Sequence, residues 1–120
     1  MLAIPLLAAA ALAGSPVSLG TAANGRTVHV ASATPIVVTL PSNASTGFRW
    51  KIASPLDVAV LRLVGHAYKP SASKLVGAPG IEVWRFRTVG SGAFRLRLAY
   101  LRPWAPSQVA RRFAVDFRVS

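Results

Sequence analysis

Apolar and polar residues alternate along most of this chain with a period of two. Phe94-Arg95-Leu96-Arg97-Leu98-Ala99-Tyr100 puts apolar side chains at 94, 96, 98 and 100, with Arg95 and Arg97 between them. A strand with one buried face produces that pattern, because successive side chains point to opposite sides of a sheet. Phe113 to Val119 repeats it, and Phe48-Arg49-Trp50-Lys51-Ile52 repeats it over a shorter span. Between Glu82 and Val89, Val83 is in phase with Arg85 and Arg87, and Trp84 with Phe86. Ile36 to Leu40 is a β-branched run ended by Pro41-Ser42-Asn43. Arg26 to Val30 and Val58 to Leu63 are weaker strand candidates, and helical spacing is hard to find after residue 25.

Turn chemistry separates these runs. Asn24-Gly25 precedes the first of them. Ala78-Pro79-Gly80-Ile81 suits a type II turn, with proline presetting φ and Gly80 at the positive-φ position. Gly90-Ser91-Gly92 joins two alternating runs and reads as a hairpin. Pro103 and Pro106 break the chain after Tyr100. About seven short strands so spaced predict an all-β protein, an antiparallel β-sandwich.

The start of the chain departs from this pattern. Leu2 to Ala13 is apolar and uncharged, too short to span a bilayer but suited to the apolar region of a signal peptide. No Lys or Arg precedes it. Ala11-Leu12-Ala13 and Thr21-Ala22-Ala23 are small-x-small sequences, so cleavage is expected after Ala13 or Ala23. Residues 1–23 are therefore expected to be a signal peptide or disordered leader, and residues 24–120 one domain. That domain would be exported, periplasmic or secreted, and off the membrane once the leader is removed.

Composition removes several chemistries. The 120 residues contain no cysteine, which excludes disulfides, thiolate zinc sites and a cysteine nucleophile. A 52% hydrophobic content excludes a disordered polycation. Asp57, Glu82 and Asp116 leave little acid chemistry, and His29 and His66 lack companions for a metal site. Neither a nucleophile elbow nor a phosphate loop is present. An enzyme, a cofactor or a nucleic-acid partner is not expected. The formal charge of +11 falls largely on outward strand positions: Arg49, Lys51, Arg85, Arg87, Arg95, Arg97 and Arg118. Solvated sheet faces explain such positions. The alternative is an exported sandwich that binds anionic polymers or surfaces through an arginine-rich face.

Three loops carry the functional signal. Asn43-Ala44-Ser45-Thr46-Gly47-Phe48-Arg49-Trp50 joins two strands, Gly77-Ala78-Pro79-Gly80 ends the loop begun at Ser73, and Arg102-Pro103-Trp104 follows another strand. Asn43-Ala44-Ser45 is also a glycosylation sequon, which we take as incidental. In order and spacing these segments resemble the chagasin-type inhibitors of papain-family cysteine proteases. That family shows Asn-Pro-Thr-Thr-Gly-Tyr/Phe with a following Trp, then Gly-x-Gly-Gly, then Arg-Pro-Trp. The resemblance covers about residues 24–119.

It implies an immunoglobulin-like sandwich whose three loops cluster at one end and fill a protease cleft, reversibly and without being cleaved. It implies that Asn43 holds the first loop, that Gly47 takes a special backbone angle beside Phe48, and that Ser45 and Thr46 approach the protease's catalytic cysteine and histidine. Val76, Gly77, Ala78, Pro79 and Gly80 would lie along the cleft. Arg102 and Pro103 would carry Trp104 onto an aromatic wall, with Arg102 bonding polar groups at the rim or supporting its own loop. The inhibitor would be a monomer with the protease as its partner. Ala44 stands where the family has proline, Ser45 where it has threonine, and Pro79 where it has the first glycine of a pair. Trp50 and most of Phe48 are expected in the core.

Overall fold

The runs that alternate in sequence alternate in burial. The computed structural model describes residues 14–72 and 77–120. These form β1 (Val17–Leu19), β2 (Thr27–Val30), β3 (Pro35–Ser42), β4 (Arg49–Ile52), β5 (Leu61–Lys69), β6 (Gly80–Thr88), β7 (Gly92–Leu101) and β8 (Arg111–Val119). One sheet has the order β1-β3-β6-β5, the other β2-β8-β7-β4. Their inner faces enclose the core: Ile36, Val38 and Leu40 of β3, Trp84 and Phe86 of β6, Leu96 and Leu98 of β7, and Phe113, Val115 and Phe117 of β8. Trp50 is 2% exposed and belongs to this core, as expected. Arg85, Arg87, Arg95, Arg97 and Arg118 point outward and are exposed.

Several sequence expectations change. Gly90-Ser91-Gly92 does not make a hairpin: β6 and β7 lie in different sheets, and the turn carries the chain from one to the other. Alternation could not show this, because two strands facing one core from opposite sides carry the same pattern as two paired strands. The amides of Val89 and Gly90 bond to Val60 and Ala59, which fixes the crossing. The weak candidate over Val58–Leu63 becomes Leu61–Lys69, with an irregularity between Leu63 and Gly65. Gly80 does not hold the positive φ. That conformation falls on Gly77 (φ 78°), and Gly80 opens β6. Gly80 instead permits close approach, since a Cβ there would collide with the Lys69 carbonyl and crowd the Tyr68 hydroxyl.

Two pairings are parallel, β1 with β3 and β2 with β8. Parallel neighbours need a connection of about a dozen residues or more; residues 20–34 supply it between β1 and β3, and β2 and β8 lie at opposite ends of the domain sequence. The sandwich also begins before residue 24. β1 pairs with β3, and Ala23, at the end of a 3₁₀ turn over Thr21–Ala23, is buried in the core. The apolar run Leu2–Ala13 lies outside the described residues.

A carboxyl group is fully buried near the loop end of the sandwich. Glu82 is in phase with Trp84 and Phe86, so β6 turns it inward, and it is 0% exposed. Its Oε2 accepts from the Ser42 hydroxyl (2.6 Å) and from the Trp50 amide (3.0 Å). Its Oε1 lies 2.7 Å from His66 Nε2. The His66 ring stacks on Trp84 with centroids 3.8 Å apart. Ser42 is the last residue of β3 and Trp50 lies in β4, so one carboxyl oxygen holds both stems of the β3–β4 loop. The Trp50 indole N–H adds a bond across the same stems, to the Pro41 carbonyl (2.9 Å). A buried polar group must have its hydrogen bonds met, and here each carboxyl oxygen has a partner. Glu82→Ala would leave the Ser42 hydroxyl and the Trp50 amide without that acceptor. We expect it to lower unfolding free energy by about 2–4 kcal/mol in urea titration. An unchanged midpoint would remove Glu82 from this clamping role.

Candidate functional site

The β3–β4 loop is built by its own short polar side chains. Asn43 Oδ1 accepts from the Ser45 amide (3.2 Å) and the Ser45 hydroxyl (2.6 Å). The Thr46 hydroxyl donates to the Asn43 carbonyl (2.7 Å). These bonds hold a 3₁₀ turn over Ala44–Thr46, with Asn43 as its cap. Gly47 ends the turn at φ 83°, the left-handed region that glycine enters without strain.

This loop is bonded to both of its neighbours. Asn43 Nδ2 donates to the Gly77 carbonyl (3.0 Å), tying it to the loop before β6. Arg102 Nε donates to the Thr46 carbonyl (3.2 Å), tying it to the loop after β7. The Asn43 amide donates to the Tyr100 hydroxyl (2.9 Å), anchoring the loop to β7. One asparagine thus contacts its own turn, the second loop and the sheet.

A ladder of rings runs from the core to the surface. Trp50 meets Tyr100 with centroids 5.0 Å apart, and Tyr100 stacks on Phe48 at 5.3 Å. The Arg102 guanidinium lies 4.4 Å from the Phe48 centroid and 5.9 Å from that of Trp104. Pro103 and Trp104 sit in a tight turn closed by the Ala105 amide donating to the Arg102 carbonyl (2.9 Å). Trp104 is 72% exposed, yet its edge lies on Gly47, where an added Cβ would come within 2.5 Å of Cη2. Gly47 is therefore required twice, for its backbone angle and for the space Trp104 occupies.

The structure brings together Asn43, Ser45, Thr46, Gly47, Phe48, Gly77, Arg102, Pro103 and Trp104. Ala78, Pro79 and Gly80 continue from Gly77 into β6. Val76 lies outside the described residues. Phe48 is half-buried, a rung between core and tip more than a core residue. Arg102 supports the first loop through Thr46. Among the described residues of the three motifs two carry charge: Arg102, and Arg49 where β4 begins. Sequence reasoning missed Glu82 and His66 as supports of this end. Their signal was present: Glu82 shares its phase with Trp84 and Phe86.

The chain is similar over most of its length to known inhibitors. The family described as Chagasin family peptidase inhibitor I42 matches residues 29–119. Chagasin of Trypanosoma cruzi is 37% identical over 103 residues, covering 81% of this chain and 92% of its own. The cysteine protease inhibitor EhICP2 of Entamoeba histolytica shares the fold, with a TM-score of 0.77 at 24% identity over 88% of this chain and 96% of that one. PbICP-C, solved in complex with falcipain-2, superposes with a TM-score of 0.64 at 16% identity, covering 89% of this chain and all of that one. With its sandwich, its three cross-bonded loops and this match over most of its length, the chain belongs to the chagasin family of peptidase inhibitors.

Proposed function

We propose that the chain inhibits papain-like cysteine proteases by inserting its three-loop end into the active-site cleft. The observation that carries this reading is the exposed Trp104, held on Gly47 at the tip of loops already bonded to one another. An exposed tryptophan braced by a glycine and an arginine is the composition of an interface hot spot. Chagasin of Trypanosoma cruzi and PbICP-C, which was solved with falcipain-2, support the same partner class.

The loop chemistry suits a cleft that holds a thiol and an imidazole. The Ser45 and Thr46 hydroxyls spend their protons on Asn43. Their oxygens keep lone pairs to accept from a protease N–H or S–H. The 3₁₀ turn over Ala44–Thr46 resists cleavage because its backbone is not extended, so no carbonyl is set in line for attack. The prebuilt bonds from Asn43 to Gly77 and from Arg102 to Thr46 lower the ordering entropy lost on binding. Asn43 holds the turn with Ala44 in place of the family's proline.

Export belongs to the same proposal. Leu2–Ala13 has the character of a signal apolar region, and cleavage after Ala13 leaves β1 and Ala23 in the sandwich, whereas cleavage after Ala23 removes both. N-terminal sequencing of the recovered protein is expected to begin between Gly14 and Val17.

Titration of papain activity with the domain tests the main reading, and no inhibition at about micromolar concentration, with folding confirmed, overturns it. Trp104→Ala is expected to weaken binding by about 1–3 kcal/mol without loss of stability. Gly47→Ala strains the αL position and displaces Trp104. It should lower stability by about 1–2 kcal/mol in urea and weaken inhibition as well.

A further inference from the structure

The outer face of the β2-β8-β7-β4 sheet lies behind the loop end and carries a groove of about 630 Å³. Strand register gives the groove a regular plan. Ala99 of β7 is flanked by Lys51 on β4 and Arg112 on β8. One step along β7, Arg97 stands between Ala114 of β8 and Ala53, whose amide donates to the Arg97 carbonyl. Pro106 and Val109, from the stretch that follows Trp104, close one end. Adjacent strands lie about 4.8 Å apart, so the Lys51 and Arg112 backbones stand about 10 Å apart across Ala99. Ala99 is on the outward phase and yet only 6% exposed, so the groove has walls that stand over its floor.

The charges in this groove are unevenly met. A further step along, Arg95 is held by both Asp116 oxygens, at 2.6 and 3.0 Å. That hydrogen bond holds the Asp116 carboxyl below its ordinary value. Lys51, Arg97 and Arg112 are exposed, and none makes an ion pair with an acid among the described residues. Three like charges ringed about one alanine repel one another, and an anionic ligand would relieve that repulsion.

We propose that this groove binds a linear anionic polysaccharide, whose sulfate or carboxylate groups are held by Lys51, Arg97 and Arg112. Guanidinium groups bond such oxygens in pairs, and the alanine floor leaves room for a sugar ring. Two observations separate this ligand from other polyanions. The aromatic residue lining the groove, Phe113, is 2% exposed and faces the core, so no ring is offered for stacking a nucleobase. β7 is paired on both sides, so an acidic peptide could add as a strand only at the outer edge of β4 and not over the floor between Lys51 and Arg112. The site is separate from the three inhibitory loops, and its occupation does not depend on protease inhibition.

The test is calorimetric titration of the domain with a heparin-derived octasaccharide at low salt. Two triple variants carry equal charge loss: Lys51→Ser, Arg97→Ser and Arg112→Ser in the groove, and Arg62→Ser, Arg85→Ser and Arg87→Ser on the other sheet. The groove variant is expected to bind at least about tenfold more weakly and to reduce the salt dependence of affinity. The other is expected to change affinity by less than about threefold, with thermal unfolding confirming that both fold and papain inhibition unchanged in the groove variant. Equal losses in both variants would overturn the proposal, since affinity would then follow net charge and not the groove. Absence of octasaccharide binding would overturn it, as would equal or tighter binding of a single-stranded oligonucleotide or of anionic vesicles.

Discussion

A buried carboxyl group holds the working end of this protein together. Glu82 sits at full burial between the two sheets and bonds to Ser42, Trp50 and His66, on three other strands. Hydrophobic packing is non-directional and would allow β4 to slide against β3. A carboxyl oxygen that accepts from the Ser42 hydroxyl and the Trp50 amide does not allow it, because sliding would leave buried polar groups unpaired. The β3–β4 loop therefore leaves and enters the sandwich at fixed points. Its internal bonds, from Asn43 to Ser45 and Thr46, then need to set only a few residues.

From that base, order is passed outward by contacts of decreasing burial. Trp50 lies in the core, Tyr100 at its edge, Phe48 half-buried, and Trp104 in solvent. Arg102 joins the last two rungs by lying over both rings and by bonding the Thr46 carbonyl. A tryptophan so exposed would otherwise sample many rotamers, and its ordering would then have to be supplied at binding. The cations at this end, Arg102 and Arg111, lie over aromatic rings. The turn over Ala44–Thr46 and the stretch from Gly77 to Gly80 carry no charge and suit a desolvated contact, while Arg85, Arg87, Arg95, Arg97 and Arg118 stand on the sheet faces, where water and salt reach them.

Much of the fold was legible in the sequence because a half-buried strand leaves a period-two trace. β7 and β8 show it clearly, and their outward arginines are where alternation put them. The three loops were legible for another reason: Asn, Gly, Pro and Trp at fixed spacing are turn and contact chemistry that a resemblance can match. What was misread is instructive. Gly90-Ser91-Gly92 looked like a hairpin because alternation reports which face is buried and not which strand lies alongside. β1 was assigned to a leader because Val17–Leu19 is too short to show a period. Glu82 was discounted as one of three scattered acids, although its phase with Trp84 and Phe86 turned it inward.

The sequence by itself determined most of the strands, though not β1 or the bounds of β5, together with their inward and outward sets of side chains and the identity of the loop residues, because each rests on local spacing and backbone preference. Only the tertiary structure decided that β6 and β7 part into different sheets, that Asn43 reaches Gly77, that Trp104 rests on Gly47, and that Lys51 and Arg112 flank one alanine. Those residues are far apart in the chain. Their meeting depends on strand order and on the register between strands, and a one-dimensional pattern does not encode either.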